Sequence, residues 1–514
     1  MPLVNTQDLE PSKVHPQQLQ VYCGLDCCVT LEVLQVLHKT FPATAPGSNA
    51  PNLIYSFERA LQAPALEMML RGFKIDELER RRAIDLLQGQ QAKVLDILTR
   101  LAVEVWGRPL NPRSHQQLTK FFYGAMRVPE QWTSQRGVKK LSMNREALEK
   151  LQAYFHAQPF VLCILKFRDL AKQLETLETE VDSDGRLRSS LNIAGTKTGR
   201  WSSAKNAFGT GGNIFNIKKD ADYAEDTQDE DTVHSLRRIF IADPGKKLCV
   251  IDYEQSEARD VGWLCGVLFN DWTYLDTIEG GDLHTHTARL IWPEAVPWTN
   301  DTKHDRLLAE QKFYRHFSYR DMSKRGGHGS NYLGTPFTMA RHLKVPQALM
   351  DHFQRAYFAA FPALPLWHRW VAEQLQTKQH IVTPLGRKLT FFGRPQDEAT
   401  LREAVAAGPQ STTADRTSLG LYRVWRDFHN RVELLNQGYD SITFQFDEGD
   451  HKVLDEISRA IVVPLEHKGR RFIIPTDCKI GYNWGSMRPD NPDGLTKWKG
   501  QDLRKRTNSL DRIL

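Results

Sequence analysis

Apolar residues recur at three- and four-residue spacing in LQAPALEMML (61–70) and AIDLLQGQQAKVLDILTRLAVEVW (83–106). That period predicts helix through most of 53–153, continuing to about residue 180. An earlier helix is expected over 17–39, closed by the turn-rich linker FPATAPGSNAPN. The pattern then changes. SDGRLRSSLNI (183–193) reads as a turn and strand, and IFIADPGKKLCVID (239–252) as two strands about a Pro-Gly turn. Helix returns over 270–380, IVTPLGRKLTFF carries β content, a helix is expected over 400–436, and SITFQFDEGDHKV (441–453) suggests a hairpin. The expected architecture is α+β, a mixed sheet flanked by two helical subdomains.

Two apolar strands end abruptly in acids. Leu248–Ile251 stops at Asp252, and the run from Ile442 stops at Asp447 and Glu448. Each alone is a helix cap or turn. Side by side, Asp252 and Asp447 would suit a hard cation, because Mg²⁺ takes one or two carboxylates together with phosphate oxygens. Two such ions can stabilise both the attacking and the leaving oxygen of phosphoryl transfer.

A basic stripe supplies the substrate side. In RDMSKRGGHGSNY (320–332), Arg320, Lys324, His328 and Asn331 share one helix face, with Tyr332 beside it. Cations, an imidazole and an aromatic on one stripe can grip a triphosphate and stack on a base. Gly326, Gly327 and Gly329 each cost a helix about 1 kcal/mol, which points to close approach of a ligand or to a helix that moves. No GxxxxGK[ST] loop is present.

Composition alters this picture little. The chain has 514 residues, 40% hydrophobic and 25% charged, long enough for several subdomains. Net charge is +6, but acids concentrate in DADYAEDTQDED (220–231) and bases in the tail from Arg488, leaving a surface suited to a polyanion groove. No stretch approaches the roughly 20 apolar residues of a membrane span, so a cytoplasmic protein without a membrane partner is expected. The seven cysteines form no paired zinc spacing, and Cys23, Cys27 and Cys28 read as packing residues.

These segments resemble the family A DNA polymerases, the group of bacterial DNA polymerase I and many phage replicases. DYEQSEAR looks like motif A, RDMSKRGGHGSNY like motif B and FQFDE like motif C. TKTGRWSS with NIFNIKK, DLHTHTA and REAVAAGPQSTTAD resemble further family segments, in family order over about residues 51–488. The resemblance implies a right-hand fold. An exonuclease remnant and linker would occupy 1–50 and the thumb and start of the palm 51–190. Palm would follow at 191–269, fingers at 270–380, palm again at 381–488, and a basic tail at 489–514.

By the same resemblance, Asp252, Asp447 and the backbone carbonyl of Tyr253 would hold two Mg²⁺ ions, for which Mn²⁺ can substitute, with Glu448 accessory. Lys324 would be catalytic. Arg320, Lys324, His328, Tyr332, His284, Glu257 and Gln255 would bind the incoming dNTP, with Glu257 filling the space a ribose 2′-OH needs. Arg200, Asn216, Arg402 and Gln410 would contact primer or template DNA. The implied activity is DNA-directed DNA polymerase, with primer-template and dNTPs as substrates and a helicase, primase or single-strand-binding protein as candidate partners.

Several positions depart from the family. Phe446 stands where His usually precedes Asp-Glu, His328 where Phe or Tyr is usual, and Ala406 where Asn is usual. The departures suggest a bacteriophage replicase. A single-subunit RNA polymerase and an inactive DNA-binding subunit are the alternatives. Glu257 speaks against the first, and the retained Asp252, Asp447, Arg320 and Lys324 against the second. Tyr22 and Asp26 resemble the last motif of the family's 3′–5′ exonuclease, but only Asp8 and Glu10 precede them as acids. No proofreading is therefore expected from this chain alone, with packing the favoured role for the first helix and a separate exonuclease polypeptide a candidate partner there.

Overall fold

The computed structural model describes residues 15–40, 53–135, 138–206, 208–217, 235–299 and 301–498. The linker at 41–52, the acidic run at 220–231, Asp8, Glu10 and most of the basic tail lie outside the described residues. The chain divides into two units, Met1–Ala60 and Leu61–Leu514.

The first unit contributes the helix Pro16–Thr40. Within it the apolar side chains Val21, Val29, Leu31 and Val36 are all more than half exposed. Cys23, Cys27 and Cys28 are exposed as well. By length and composition Pro16–Leu37 meets the minimum for a membrane-crossing helix, which the sequence reading had not anticipated. Asp26 and Glu32 lie within that stretch.

The second unit is built on a five-stranded sheet. Its spatial order is Val432–Gly438, Ser441–Asp447, Lys246–Tyr253, Thr476–Gly481 and Thr496–Lys497, each neighbour antiparallel, rather than the mixed sheet expected. Phe240–Ile241 pairs instead with Phe73–Ile75 in a separate three-stranded sheet, so the two strands around the Pro-Gly turn part company. Phe73, Phe240 and Trp484 lock that sheet, with ring centroids 5.4–5.6 Å apart. A second core, from Leu98 to Leu165, belongs to helices before the sheet, and a third gathers residues from Val261 to Ala407.

Two segments read as helix are strands. Within the expected helical region, Trp132–Gln135 and Val138–Leu141 form a hairpin. The long helix closes at Phe428, and Val432–Gly438 is an edge strand of the main sheet. The hairpin expected within 441–453 is therefore made with the preceding strand; Lys452–Ala460 is a helix.

Two of the glycines of 326–329 also have a different explanation. A Cβ on Gly326 would lie 2.6 Å from the Phe353 ring, and one on Gly329 2.5 Å from the Met339 sulfur. Gly326 and Gly329 thus allow helices to pack closely, whereas a Cβ on Gly327 would meet nothing nearer than 3.4 Å.

Candidate active site

The central strand Lys246–Tyr253 ends by presenting Asp252, half-buried, at one edge of the sheet. Tyr253 anchors that end: its ring is buried, and its hydroxyl donates to the Ile461 carbonyl at 2.8 Å. Burial pushes the Tyr253 phenol well up, so it stays protonated. The Tyr253 N–H donates to the Asp440 carbonyl at 3.0 Å, and Ser441 lies directly across from Asp252. Two acids therefore lie beside Asp252: Asp440, in the tight turn Tyr439–Asp440 between two strands, and, on the other neighbouring strand, Asp477, which faces Asp252 directly in register and is paired with Lys497 at 2.9 Å.

Asp447 does not reach this place. It lies across from Lys246, six positions down the strand from Asp252's partner Ser441. At about 3.3 Å per residue the separation is roughly 20 Å. Asp447 and Glu448 are both exposed there, and Glu448 accepts from the Tyr482 hydroxyl at 2.9 Å. In an antiparallel pair the C-terminal end of one strand meets the N-terminal start of the next. Two acids that each close a neighbouring strand therefore cannot meet. Against the family pattern of His-Asp-Glu, the turn Tyr439-Asp440-Ser441 keeps only the aspartate.

Past Tyr253 the chain turns through Gln255, exposed and in the left-handed region at φ 51°, into the helix Ser256–Phe269. A non-glycine residue held there stores strain, a feature concentrated at ligand sites. In the helix's first turn, Glu257 has both oxygens fixed. Arg200 donates to one, and the Tyr332 hydroxyl donates to the other at 2.5 Å. The Arg200 guanidinium also lies 5.0 Å from the centre of the Tyr439 ring.

The helix Tyr319–Asn331 starts at a capping box between Ser318 and Asp321. It exposes Lys324 and His328, and the His328 ring stands 4.9 Å from Tyr332. Asn331 instead turns inward, donating to Tyr274 at 2.9 Å and accepting from Tyr357 at 3.0 Å. Arg320 is engaged by Asp282 through two bonds of 2.8 and 3.0 Å. Asp282 also caps the helix Leu283–Ile291 by accepting from the Thr285 N–H. Burial opposes ionisation of Asp282, yet the bonds from Arg320 and Thr285 hold its carboxyl at about 2.

Burial, with the charges of Arg320 and Lys324 adding to it and Asp282 opposing, pushes the His284 imidazole down to about 4. It is therefore neutral at pH 7. Unfolded, the same group takes its proton near pH 6.5. Between pH 6.5 and 4 the unfolded chain alone binds that proton, so stability falls as acid is added through this window. Urea unfolding of the protein and of His284→Asn across pH 4–7 checks this. The parent should lose stability faster than the variant below pH 6.5, and parallel curves would refute it.

Into one cavity of about 530 Å³ open Arg200, Gln255, Glu257, His284, Lys324, His328 and Tyr332, all expected from the sequence. Tyr439 and Asp440, not expected, open into it too. The signal that could have found them is the turn GYDS between two apolar runs. Arg402 is exposed and pairs with Glu398 at 2.5 Å, while Gln410 is half-buried on the same helix, Glu398–Phe428. Neither lines the cavity. Asn216 ends a 3₁₀ turn, Ile214–Asn216, and its side chain lies outside the described residues.

The profile of DNA polymerase family A matches residues 82–486. DNA polymerase I of Chloroflexus aurantiacus is 25% identical over 512 residues, 93% of this chain and 48% of that protein. The thermostable DNA polymerase I of Thermus aquaticus is 25% identical over 453 residues, 84% of this chain and 48% of that protein. A DNA polymerase of Mycobacterium phage D29 is 28% identical over 195 residues, 37% of this chain. Among solved structures, the POL domain of Pol1 from M. smegmatis, in complex with DNA primer-template and dNTP, superposes with a TM-score of 0.64. That match has 22% identity and covers 83% of this chain and 70% of the other, a likeness of fold. The chain spans about half the length of the curated DNA polymerase I relatives. With the profile covering most of its length, the chain belongs to DNA polymerase family A.

Proposed function

We propose that this chain is a DNA-directed DNA polymerase, extending a primer 3′-OH on a DNA template with dNTPs. The observation that carries the reading is the adjacency of Asp252 and Asp440 in the backbone at one end of the central strand, with Asp440 opening into the cavity that holds Lys324 and His328. In this reading the five-stranded sheet is the palm and the Tyr319–Asn331 helix belongs to the fingers.

The donor set fits divalent metal. Two carboxylates, Asp252 and Asp440, supply hard oxygens of the kind Mg²⁺ takes together with phosphate oxygens and water; among the described residues no group of three or more His, Cys, Asp or Glu comes together. When bound, two Mg²⁺ ions would lower the charge barrier to attack of the primer oxygen on the α-phosphate. Asp252 and Asp440 would hold them. Lys324 would offset charge on the triphosphate and the departing pyrophosphate. Arg320, aligned by Asp282, would add a second cation, and neutral His284 a hydrogen-bond donor. Glu257 would occupy the volume of a ribose 2′-OH, Tyr332 and His328 would bound the base, and Arg200, Asn216, Arg402 and Gln410 would contact DNA.

Primer extension with each dNTP and rNTP, with and without Mg²⁺, tests the proposal. Extension by rNTPs in preference to dNTPs, or none under any condition, would refute it. Lys324→Ala should cut kcat/KM for dNTP about 10- to 100-fold, the worth of one charge-assisted hydrogen bond, with primer-template affinity unchanged. Equal loss of DNA affinity in a filter-binding assay would move Lys324 from the triphosphate to the duplex backbone.

A further inference from the structure

We infer that Tyr439 is a specificity-determining positioning residue that sets the strictness of sugar selection by holding Arg200 against Glu257. The inference rests on the polymerase reading above and concerns the turn position Tyr439, where a phenol ring stands before the aspartate in place of the usual imidazole. Four contacts make a continuous chain. Phe215 packs on the Tyr439 ring, with centroids 5.6 Å apart. The Tyr439 ring lies under the Arg200 guanidinium at 5.0 Å. Arg200 donates to one oxygen of Glu257, and Tyr332 donates to the other.

The chemistry of Arg200 shows what the ring contributes. Its Nε is buried and has no hydrogen-bond partner, so the guanidinium is held by one carboxylate oxygen and by the ring. An aromatic face attracts a cation through its quadrupole, and a partly desolvated contact is worth more than an exposed one. Here the side chains of Arg200 and Glu257 are 23% and 26% exposed, so water only partly screens them. Removing the ring frees the guanidinium to swing toward solvent. One oxygen of Glu257 then loses its donor, the carboxylate gains a rotamer, and the space beside the sugar widens. Tyr439 need not touch the nucleotide to have this effect.

The consequence is a selective one. Loss of Tyr439 should relax discrimination between deoxyribose and ribose more than it slows dNTP addition. Tyr439→Leu should lower the dNTP-over-rNTP ratio of kcat/KM about 5- to 10-fold, the size of one partly desolvated cation–π contact. Tyr439→Phe retains the ring and should keep the parental ratio. In a Glu257→Ala background, Tyr439→Leu should produce no further change, because the group it positions is gone.

The experiment measures the ratio in two ways, by single-nucleotide primer extension and by equilibrium binding of dATP and ATP to the protein on primer-template. A parental ratio in Tyr439→Leu overturns the inference, as does an undiminished effect in the Glu257→Ala background. A merely structural role would reduce dATP and ATP use equally and lower thermal stability, and this outcome also overturns it. If Tyr439→Leu does not fold, Arg200→Lys breaks the same link from the other side. It should relax the ratio similarly, and an unchanged ratio there counts against the inference. A protein that discriminates in binding yet never extends a primer would defeat the polymerase reading and leave the Tyr439 assignment standing.

Discussion

Asp440→Asn should reduce primer extension by at least about 100-fold, as should Asp252→Asn, while Asp447→Asn should extend primers at close to the parental rate. The three variants separate two assignments that look alike in sequence. Asp440 is one residue from the position opposite Asp252, and Asp447 is at the far end of the same strand. Asparagine preserves shape but removes the charge and turns one acceptor oxygen into a donor, so a loss at 440 reports the carboxylate's charge and ligand oxygens rather than packing. Binding of labelled primer-template in each variant separates catalysis from DNA affinity. If Asp447→Asn were the inactive one, the Ser441–Asp447 strand would have to pair in a different register from the one observed.

That misplacement shows where the sequence was legible and where it was not. The central strand and the basic helix are legible because each follows a regular period or sits at a sharp change of composition, whereas Arg200, Gln255, Glu257 and His284 are legible only through the resemblance to the family's segments. Val432–Gly438 has no such period. Its pairing with Ser441–Asp447 slips between Leu434 and Asn436, an irregularity that breaks strict alternation. Leu434 and Leu435 then lie adjacent, both buried, and the segment reads as the tail of the preceding helix. With that strand hidden, Tyr439–Asp440 is not marked as a turn between paired strands, and the acids that close Ser441–Asp447 stand out instead. The antiparallel rule would have corrected the choice had both strands been seen.

The glycine run is a second instance. A glycine-rich helix bearing cations can serve a phosphate or a close helix neighbour, and nothing in the run itself separates the two. Phe353 and Met339, outside the run, account for Gly326 and Gly329, while Gly327 opens into the cavity. The Arg320–Asp282 pair was likewise invisible, since 38 positions separate its members. It matters for mechanism, because an arginine already aligned by a capped aspartate loses less freedom on meeting a phosphate than a free one does.

Arg416→Met should destabilise the second unit by about 3–5 kcal/mol, the largest stability effect expected of a single substitution here. Arg416 and Asp260 are both fully buried and joined by two bonds of 2.8 Å. Thr413 also donates to Asp260, and the Thr413 and Ser256 hydroxyls lie 2.8 Å apart. Methionine fills the space but leaves the Asp260 carboxylate without its counter-charge, and removing one member of a buried pair costs far more than the pair contributes. Replacing both, as Asp260→Leu with Arg416→Met, should recover most of the loss. Urea unfolding of the three variants checks the series, and a single variant as stable as the parent would contradict the burial of the pair. Activity adds a second reading. Ser256 and Asp260 flank Glu257 on one helix, and their partners lie on the Glu398–Phe428 helix. The ion pair therefore fixes the helix that carries the sugar-facing glutamate, and the double variant, though folded, should discriminate ribose less sharply than the parent.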